Sequence, residues 1–152
     1  MIKAVDEKYM DLALRQAAEA GISGEVPIGA VLVQDGKVIA ADRNRREELN
    51  DATAHAEVLV IRRAGEILGG WRLSGCTLYV TLEPCPMCAG AMVLARLDRL
   101  VYGAADPKGG AAGTLYDLVR DSRLNHRLEV CGGILDEGCA ALLQQFFRER
   151  RV

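Results

Sequence analysis

The chain has 152 residues, of which 50% are hydrophobic and 26% charged, and its formal net charge at pH 7 is −2. This length and composition are typical of one globular domain, so we expect a single domain over residues 1–152. The slightly acidic balance argues against broad electrostatic binding of nucleic acid, and no apolar stretch approaches the ~20 residues of a membrane span. Five cysteines, an odd number, without a recognisable secretory signal favour a reducing, cytoplasmic environment over a disulfide framework.

The hydrophobic pattern alternates between helix and strand periods along the chain. It predicts, in order, a helix over 6–20, strands over 30–34 and 37–41, a helix over 54–64, a strand over 77–82, a helix over 86–97, strands over 100–102 and 128–131, and a helix over 136–148. Asp6 is a cap candidate for the first helix, Asp51 or Thr53 for the second, and Pro86 suits the first turn of the third. The Asp35-Gly36 pair predicts a tight hairpin turn. Five strands alternating with helices imply a three-layer α/β/α sandwich around a mixed sheet.

Four side chains from two separate segments predict the chemistry of a metal site: His55 and Glu57 in one segment, and Cys85 and Cys88 in the other. One imidazole and two thiolates suit Zn²⁺, and three protein ligands leave the fourth tetrahedral position open, as in catalytic sites. The two cysteines are three apart, so both sulfurs can lie on one face at a helix start, where the dipole lowers thiol pKa. His55 and Glu57 are two apart and converge only if the site lies beyond the N-terminal end of their helix.

Glu57 is the member of this set that the metal does not need as a ligand. Beside zinc and water we expect it to take the water's proton, protonate a ring nitrogen and then deliver a proton to leaving ammonia. His-x-Glu with Pro-Cys-x-x-Cys is the signature of zinc-dependent nucleobase deaminases. A His-Ala-Glu alone is more often a surface pair, and a Cys-x-x-Cys alone can be redox-active or structural. The prediction therefore depends on the two halves together.

Longer segments carry a resemblance to a known family, namely residues 25–33, 53–57, 77–85, 87–92, 103–113, 125–127 and 139–148. Through them the chain resembles the bacterial tRNA-specific adenosine deaminases, which convert the wobble adenosine of an arginine tRNA anticodon to inosine. The resemblance is nearly full-length. It implies a cytidine deaminase-like sandwich with a central mixed five-stranded sheet, one Zn²⁺ per subunit, and a homodimer.

The same resemblance implies roles in RNA binding. Asn44 and Asn125 would contact the target nucleotide, with Asp106 and Lys108 near the flanking nucleotides. The residues expected on the anticodon backbone are Arg148, Arg150 and Arg151. The expected partner is a tRNA anticodon stem-loop, with no membrane and no DNA. Each residue also has a structural alternative: Asn44 as a turn residue, Asp106 as a cap for the turn before Pro107, and the arginines as a solvated helix end.

Three other functions remain open at this point. Pro-Cys-Pro-Met-Cys also occurs in guanine and cytosine deaminases, so a free-nucleobase deaminase with the same zinc chemistry is the main alternative. A cytidine-editing enzyme would share the fold and differ in pocket shape. A zinc-stabilised binding module would have no activity, and Glu57 would be dispensable in it. The sequence assigns no role to Cys76, Cys131 and Cys139, and it sets neither the rate nor the range of tRNAs.

Overall fold

The computed structural model describes residues 2–150. Its elements are α1 (Ile2–Ile22), β1 (Gly29–Gln34), β2 (Lys37–Arg43), α2 (Arg46–Leu49), α3 (Ala56–Leu68), β3 (Cys76–Leu82), α4 (Pro86–Leu94), β4 (Arg99–Ala104), β5 (Glu129–Cys131) and α5 (Asp136–Glu149). None of the described helices combines the length and the apolar character that crossing a membrane requires.

The five strands form one mixed sheet in the order β2-β1-β3-β4-β5. β1 runs antiparallel to β2 and β3, whereas β3, β4 and β5 are parallel. Parallel neighbours need a crossover connection, which α4 supplies between β3 and β4, while residues 105–128 join β4 to β5 without a helix. The predicted mixed five-stranded sheet is confirmed.

The hairpin between β1 and β2 follows from its two turn residues. Asp35 and Gly36 have φ angles of 50° and 74°, and both values lie in the left-handed region that a type I′ turn requires. This turn matches the right-handed twist of the flanking strands. The Asp-Gly signal in the sequence therefore predicted the connection correctly.

Successive side chains of β3 separate two apolar layers. Leu78 packs in one core cluster with Val60 of α3 and Met92 of α4. Tyr79, on the other face of the strand, packs in a second cluster with Met10 of α1. Full burial of such a side chain contributes roughly 1.5–3 kcal/mol relative to exposure. Two apolar faces on one sheet therefore hold helices on both sides, which confirms the three-layer sandwich.

The packing of α1 on β1 depends on one glycine. A Cβ atom at Gly29 would collide with the backbone of Ala13 and Ala17 in α1. Glycine is the residue that permits such a close approach of two backbones. The helix therefore lies tightly against β1, the strand at whose start the candidate site is built.

Asp6 does not cap α1 as the sequence analysis expected. The helix begins at Ile2, and the buried Asp6 carboxylate accepts hydrogen bonds from the Tyr79 hydroxyl at 2.9 Å and the Arg99 guanidinium at 2.7 and 2.8 Å. These partners are 73 and 93 residues away in the chain. Local periodicity contains no sign of them.

The helix that carries Glu57 begins later than predicted. Neither Asp51 nor Thr53 caps it, since Asp51 accepts the Thr53 backbone N–H at 2.8 Å within the preceding turn. The N-cap residue of α3 is His55. α4 is also shorter than predicted and ends at Leu94, because the chain turns toward β4 with Arg96 at φ 62°. The four-residue helix α2 was not predicted.

Candidate metal centre and active site

The predicted metal ligands lie at the N-termini of α3 and α4. His55 and Cys85 are the two N-cap residues, with extended backbones at φ −73°, ψ 148° and φ −75°, ψ 172°. Pro86 occupies the start of α4, as predicted, and Cys88 follows in the first turn. An N-cap side chain and the residue three positions later meet over the same helix end. Both thiols therefore project from the start of α4 toward His55.

The spacing of the three donor atoms fits a tetrahedral ion. His55 Nδ1 lies 3.4 Å from Cys88 Sγ and 3.7 Å from Cys85 Sγ, and all three donors lie within 4.8 Å of one another. Zinc bonds of about 2.3 Å to sulfur and about 2.05 Å to nitrogen, at the tetrahedral angle, require an N···S separation of about 3.6 Å. Within residues 2–150 the cluster has no fourth His, Cys, Asp or Glu. The donor set therefore fits a metal with one open position.

Contacts inside the cluster stabilise one thiolate, at Cys85, while the Cys85 hydrogen bond and burial raise the pKa of the Cys88 thiol. Hydrogen bonding with Cys88 lowers the pKa of the Cys85 thiol to about 3, and the contact with His55 adds to this effect. The same Cys85 contact raises the pKa of His55 above its ordinary value. Since the thiolate is the form that binds metal, Cys85 is prepared to act as a ligand at neutral pH.

Glu57 lies in the first turn of α3, beside the cluster and outside its donor set. It is buried, with 4% of its surface exposed, and burial raises the pKa of its carboxyl group to about 7. Glu57, His55 and Cys85 line one cavity of about 130 Å³, here called the active-site cavity. A carboxyl group of this pKa can both accept and donate a proton near neutral pH, which is what general acid–base catalysis requires.

Asn44 lies buried in the wall of the active-site cavity. Its Nδ2 donates to the Val26 carbonyl at 3.2 Å, and its Oδ1 accepts the Arg46 backbone N–H at 3.2 Å. An amide nitrogen carries two donor hydrogens, so one remains for a molecule in the cavity. The turn role considered for Asn44 is therefore observed, and its binding role stays a prediction.

The part of the site around α2 was not predicted from the sequence. The buried Glu25 carboxylate accepts the backbone N–H groups of Glu47 and Glu48 at 3.0 and 2.8 Å. These bonds satisfy the start of α2, whose residue Arg46 lines the active-site cavity. The signal that was available is Glu25 in the Glu-Val-Pro-Ile-Gly run, an acidic residue among apolar neighbours.

A second, larger cavity borders the first along α5. It measures about 760 Å³ and shares Leu82 and Asp106 with the active-site cavity. Lys108 lines it from the loop after β4, and Phe147 and Arg148 line it from α5. This α5 groove thus combines two cations and an exposed aromatic ring beside the catalytic cluster.

The structure gathers some predicted RNA-binding residues and leaves others apart. Asn44, Asp106, Lys108 and Arg148 lie around the two cavities. Asn125 is exposed and is absent from the lining of both cavities. Arg150 places its guanidinium over the Phe146 ring, 3.8 Å from the centroid, at the end of α5. The prediction for Arg151 falls outside the described residues.

Asp106 also organises its own loop, by capping the turn after Pro107 and not the turn before it. Its Oδ1 accepts the backbone N–H groups of Lys108 and Gly109 at 2.9 and 3.2 Å. His126 makes a comparable anchor, with its Nε2 2.6 Å from the Leu97 carbonyl oxygen. These loops are therefore held in place by side-chain contacts with the backbone.

Comparison with known proteins agrees with this site. Residues 5–151 match the family described as MafB19-like deaminase. Over 146 residues the chain is 56% identical to the tRNA-specific adenosine deaminase of Bacillus subtilis (strain 168), covering 96% of this chain and 91% of that protein. A solved structure from studies of A-to-I editing by tRNA:A34 deaminases at the wobble position of transfer RNA matches with a TM-score of 0.87 and 53% identity, covering 90% and 99% of the two chains.

A guanine deaminase from Bacillus subtilis is also similar, but over less of the chain. Its structure matches with a TM-score of 0.64 and 42% identity, covering 71% of this chain and 69% of that one. The tRNA enzymes match at 53–56% identity over 90% or more of this chain, whereas a guanine deaminase from Nitrosomonas europaea that covers 92% of it is 24% identical. The chain therefore belongs to the MafB19-like deaminases and to the family of the tRNA-specific adenosine deaminases.

Proposed function

We propose that this protein is a hydrolase that deaminates adenosine to inosine at the wobble position of a tRNA anticodon, with an arginine tRNA as substrate. The observation that carries the proposal is the buried Glu57, whose carboxyl group of pKa about 7 lies beside a His-Cys-Cys cluster in one cavity. Relatives that match nearly the full chain are named for deamination of tRNA adenosine.

We further propose that His55, Cys85 and Cys88 hold zinc, one ion per subunit. Two sulfur donors and one nitrogen donor at tetrahedral spacing are the ligands that zinc prefers. When bound in such a site, zinc supplies the Lewis acidity that makes water nucleophilic near neutral pH.

Glu57 carries the protons of the reaction. Its carboxylate takes a proton from water as the oxygen attacks C6 of adenine, and passes that proton to the ring nitrogen N1. It then delivers the remaining proton of the attacking oxygen to the leaving amine, which departs as ammonia. One carboxyl group acting first as base and then as acid is sufficient, and a pKa of about 7 suits both directions.

The walls of the two cavities supply binding groups for RNA. The free amide hydrogen of Asn44 can donate to the target nucleotide, while Lys108 and Arg148 bring positive charge to the α5 groove for the flanking phosphates. A base in an anticodon loop is already partly unstacked, so moving it into the active-site cavity costs less than flipping a duplex base. For Asn125 and Arg150, RNA contact remains a prediction without support from either cavity, and Arg151 lies outside the described residues.

We also propose that the protein is a homodimer in the cytoplasm, where its tRNA substrate resides. The outer face of α4 supports the dimer. α4 contains no charged residue, and Met87 and Leu94 are 38% and 70% exposed on it. An apolar helix face of this kind is typical of a protein–protein contact.

The first test is inosine formation on an arginine-tRNA anticodon stem-loop that carries a wobble adenosine. Guanine, cytosine and cytidine are incubated in parallel with the same enzyme, and ammonia release is measured. Inosine in the stem-loop, without ammonia from the other substrates, is the expected result. Ammonia from guanine or cytosine with an unchanged stem-loop would instead establish the free-nucleobase alternative.

A further inference from the structure

We propose that Glu83 is a positioning residue that ties the loop over residues 105–116 to the end of β3, and so sets the substrate-facing wall of the active site. Its effect on substrate binding rests on the proposed function, while its effect on the loop does not. Glu83 directly follows β3 and stands two residues before the ligand Cys85. The loop follows β4 and carries Asp106 and Lys108, which line the cavities.

The side-chain hydrogen bonds of Glu83 all go to this loop. Oε1 accepts the backbone N–H of Asp106 at 3.0 Å and the Thr114 hydroxyl. Oε2 accepts the backbone N–H groups of Ala112 and Thr114 at 3.0 and 3.1 Å. A carboxylate has about four acceptor sites, so Glu83 is saturated. It has no acceptor left for a metal or for a proton in transfer, which excludes it from the roles of His55 and Glu57.

Glu83 is buried, with 2% of its surface exposed, and lacks a cation among the ion pairs formed by residues 2–150. A buried charge without a cation must be stabilised by hydrogen bonds. Three of its four bonds come from backbone N–H groups 23 to 31 residues away. Backbone donors meet on one carboxylate only when the loop has one particular path, so Glu83 selects that path.

Two further features show how closely the loop is held. A Cβ atom at Gly110 would lie 2.5 Å from the Glu83 carboxylate, so glycine is required for this approach. Next to it, the Ala111 N–H donates to the Pro84 carbonyl at 2.8 Å. The loop is thus attached to the two residues that precede Cys85, and the glycine at position 110 has a structural cause.

The orientation of Asp106 and Lys108 depends on this attachment. Glu83 holds the Asp106 backbone, and the Asp106 side chain in turn accepts the Lys108 N–H at 2.9 Å. Loss of the first bond releases the start of the turn that presents Lys108 to the α5 groove. Glu83 also lines the active-site cavity, but its oxygens are occupied, so it acts on substrate through the loop, and the metal cluster is not part of this connection.

The test is Glu83→Gln, which keeps the side-chain volume but turns an NH₂ group toward two of the donors. The amide loses the charge assistance of these hydrogen bonds, and a tenfold change corresponds to about 1.4 kcal/mol. We expect the KM for the stem-loop to rise at least tenfold, with a smaller change in kcat and unchanged metal content. Trypsin should cleave faster after Lys108. Thr114→Val, which removes only the hydroxyl bond, should show a smaller change in both measurements.

Gly110→Ala decides the question if Glu83→Gln fails to fold. Its Cβ pushes the loop away from an intact Glu83, so it should also raise the KM and accelerate cleavage after Lys108 while the metal stays bound. The proposal would be overturned if either folded variant kept the wild-type KM and the wild-type rate of cleavage after Lys108. It would also be overturned if the variant lost activity in proportion to its loss of bound metal. If the wild-type protein did not deaminate the stem-loop, the proposed function would be refuted instead. The role of Glu83 could still be tested, because the rate of trypsin cleavage after Lys108 reports the loop conformation without any deamination.

Discussion

Two buried carboxylates, Glu57 and Asp6, show two different outcomes of burying an acid in one domain. Asp6 accepts two hydrogen bonds from Arg99 and one from Tyr79. Burial alone would raise the pKa of Asp6, but these bonds outweigh it and hold the pKa below 3.8. Glu57 is absent from the ion pairs of the described chain, and burial raises its pKa to about 7.

The two residues also lie toward opposite ends of the parallel strands. Arg99, the partner of Asp6, begins β4, whereas Cys85 follows the end of β3. Ligands in open α/β sheets bind outside the carboxyl ends of the strands. The comparison teaches that a fully paired acid stabilises the fold, whereas an acid at the strand ends that has neither a cation nor a full set of hydrogen-bond donors is available to transfer protons.

Deleting a proposed metal ligand should have the largest effect, because the proton transfer proposed for Glu57 needs water activated by the metal. Cys88→Ala deletes one of three donors, so we expect bound metal to fall to a small fraction and deamination to become undetectable. Metal analysis by mass spectrometry and the stem-loop assay check this. Cys131→Ala, outside the cluster, is the control and should keep its metal. Full activity in a metal-free Cys88→Ala protein would refute the metal centre.

Glu57→Gln tests the role of the unpaired acid itself. The amide has the same size but cannot carry protons, so we expect kcat to fall by about 10²–10⁴-fold, the usual contribution of general acid–base catalysis. The metal should remain bound, which separates this variant from Cys88→Ala. Single-turnover deamination with parallel metal analysis gives both values, and near wild-type turnover would remove Glu57 from the mechanism.

Asp6→Asn should have the opposite profile, with reduced stability and unchanged substrate affinity. Breaking a buried pair costs about 3–5 kcal/mol, and we expect the lower end because Glu129 lies 3.7 Å from Arg99 Nε. Urea denaturation measures the free energy of unfolding. Asp11→Asn on the same helix breaks only an exposed pair with Arg15 and should cost less than about 1 kcal/mol. Equal losses in the two variants would contradict the structural role.

The pH dependence of stability provides a second test of the structural role of Asp6. The folded pKa of Asp6 lies below the unfolded value, so its contribution is complete above about pH 4 and is lost as pH falls through the folded pKa. Wild type should therefore lose stability below about pH 4 more steeply than Asp6→Asn. Thermal melts from pH 2 to 7 test this, and parallel curves for the two proteins would argue against it.

The smallest effect is expected for Arg148→Ala in the α5 groove. Loss of one phosphate contact should raise the KM for the stem-loop several-fold and reduce the salt dependence of binding by about one charge. Stem-loop titrations at several salt concentrations measure both. Arg123→Ala removes another exposed arginine, paired with Asp121 and outside the groove lining, and should leave both values unchanged.

Much of the fold was predictable because its causes are local. Helix and strand periods placed nine of the elements, Asp35-Gly36 specified the hairpin, and Pro86 marked the start of α4. The boundaries were less accurate at Asp6, Asp51 and Thr53, which are good cap residues but are used elsewhere. A cap is favoured by about 1 kcal/mol; the long-range contacts of Asp6 replace it in α1, and the local turn bond between Asp51 and Thr53 replaces it before α3.

The candidate metal ligands and Glu57 were identifiable from sequence because donor chemistry depends on residue type and short spacing, which two segments display together. The tertiary structure alone decided the groups that surround them. Glu25 holds α2, Glu83 holds the 105–116 loop, and Asp6 pairs with Arg99. Each of these carboxylates meets its partners across more than twenty residues of chain. Such contacts depend on how the sheet brings distant segments together, and no local pattern in the sequence records them.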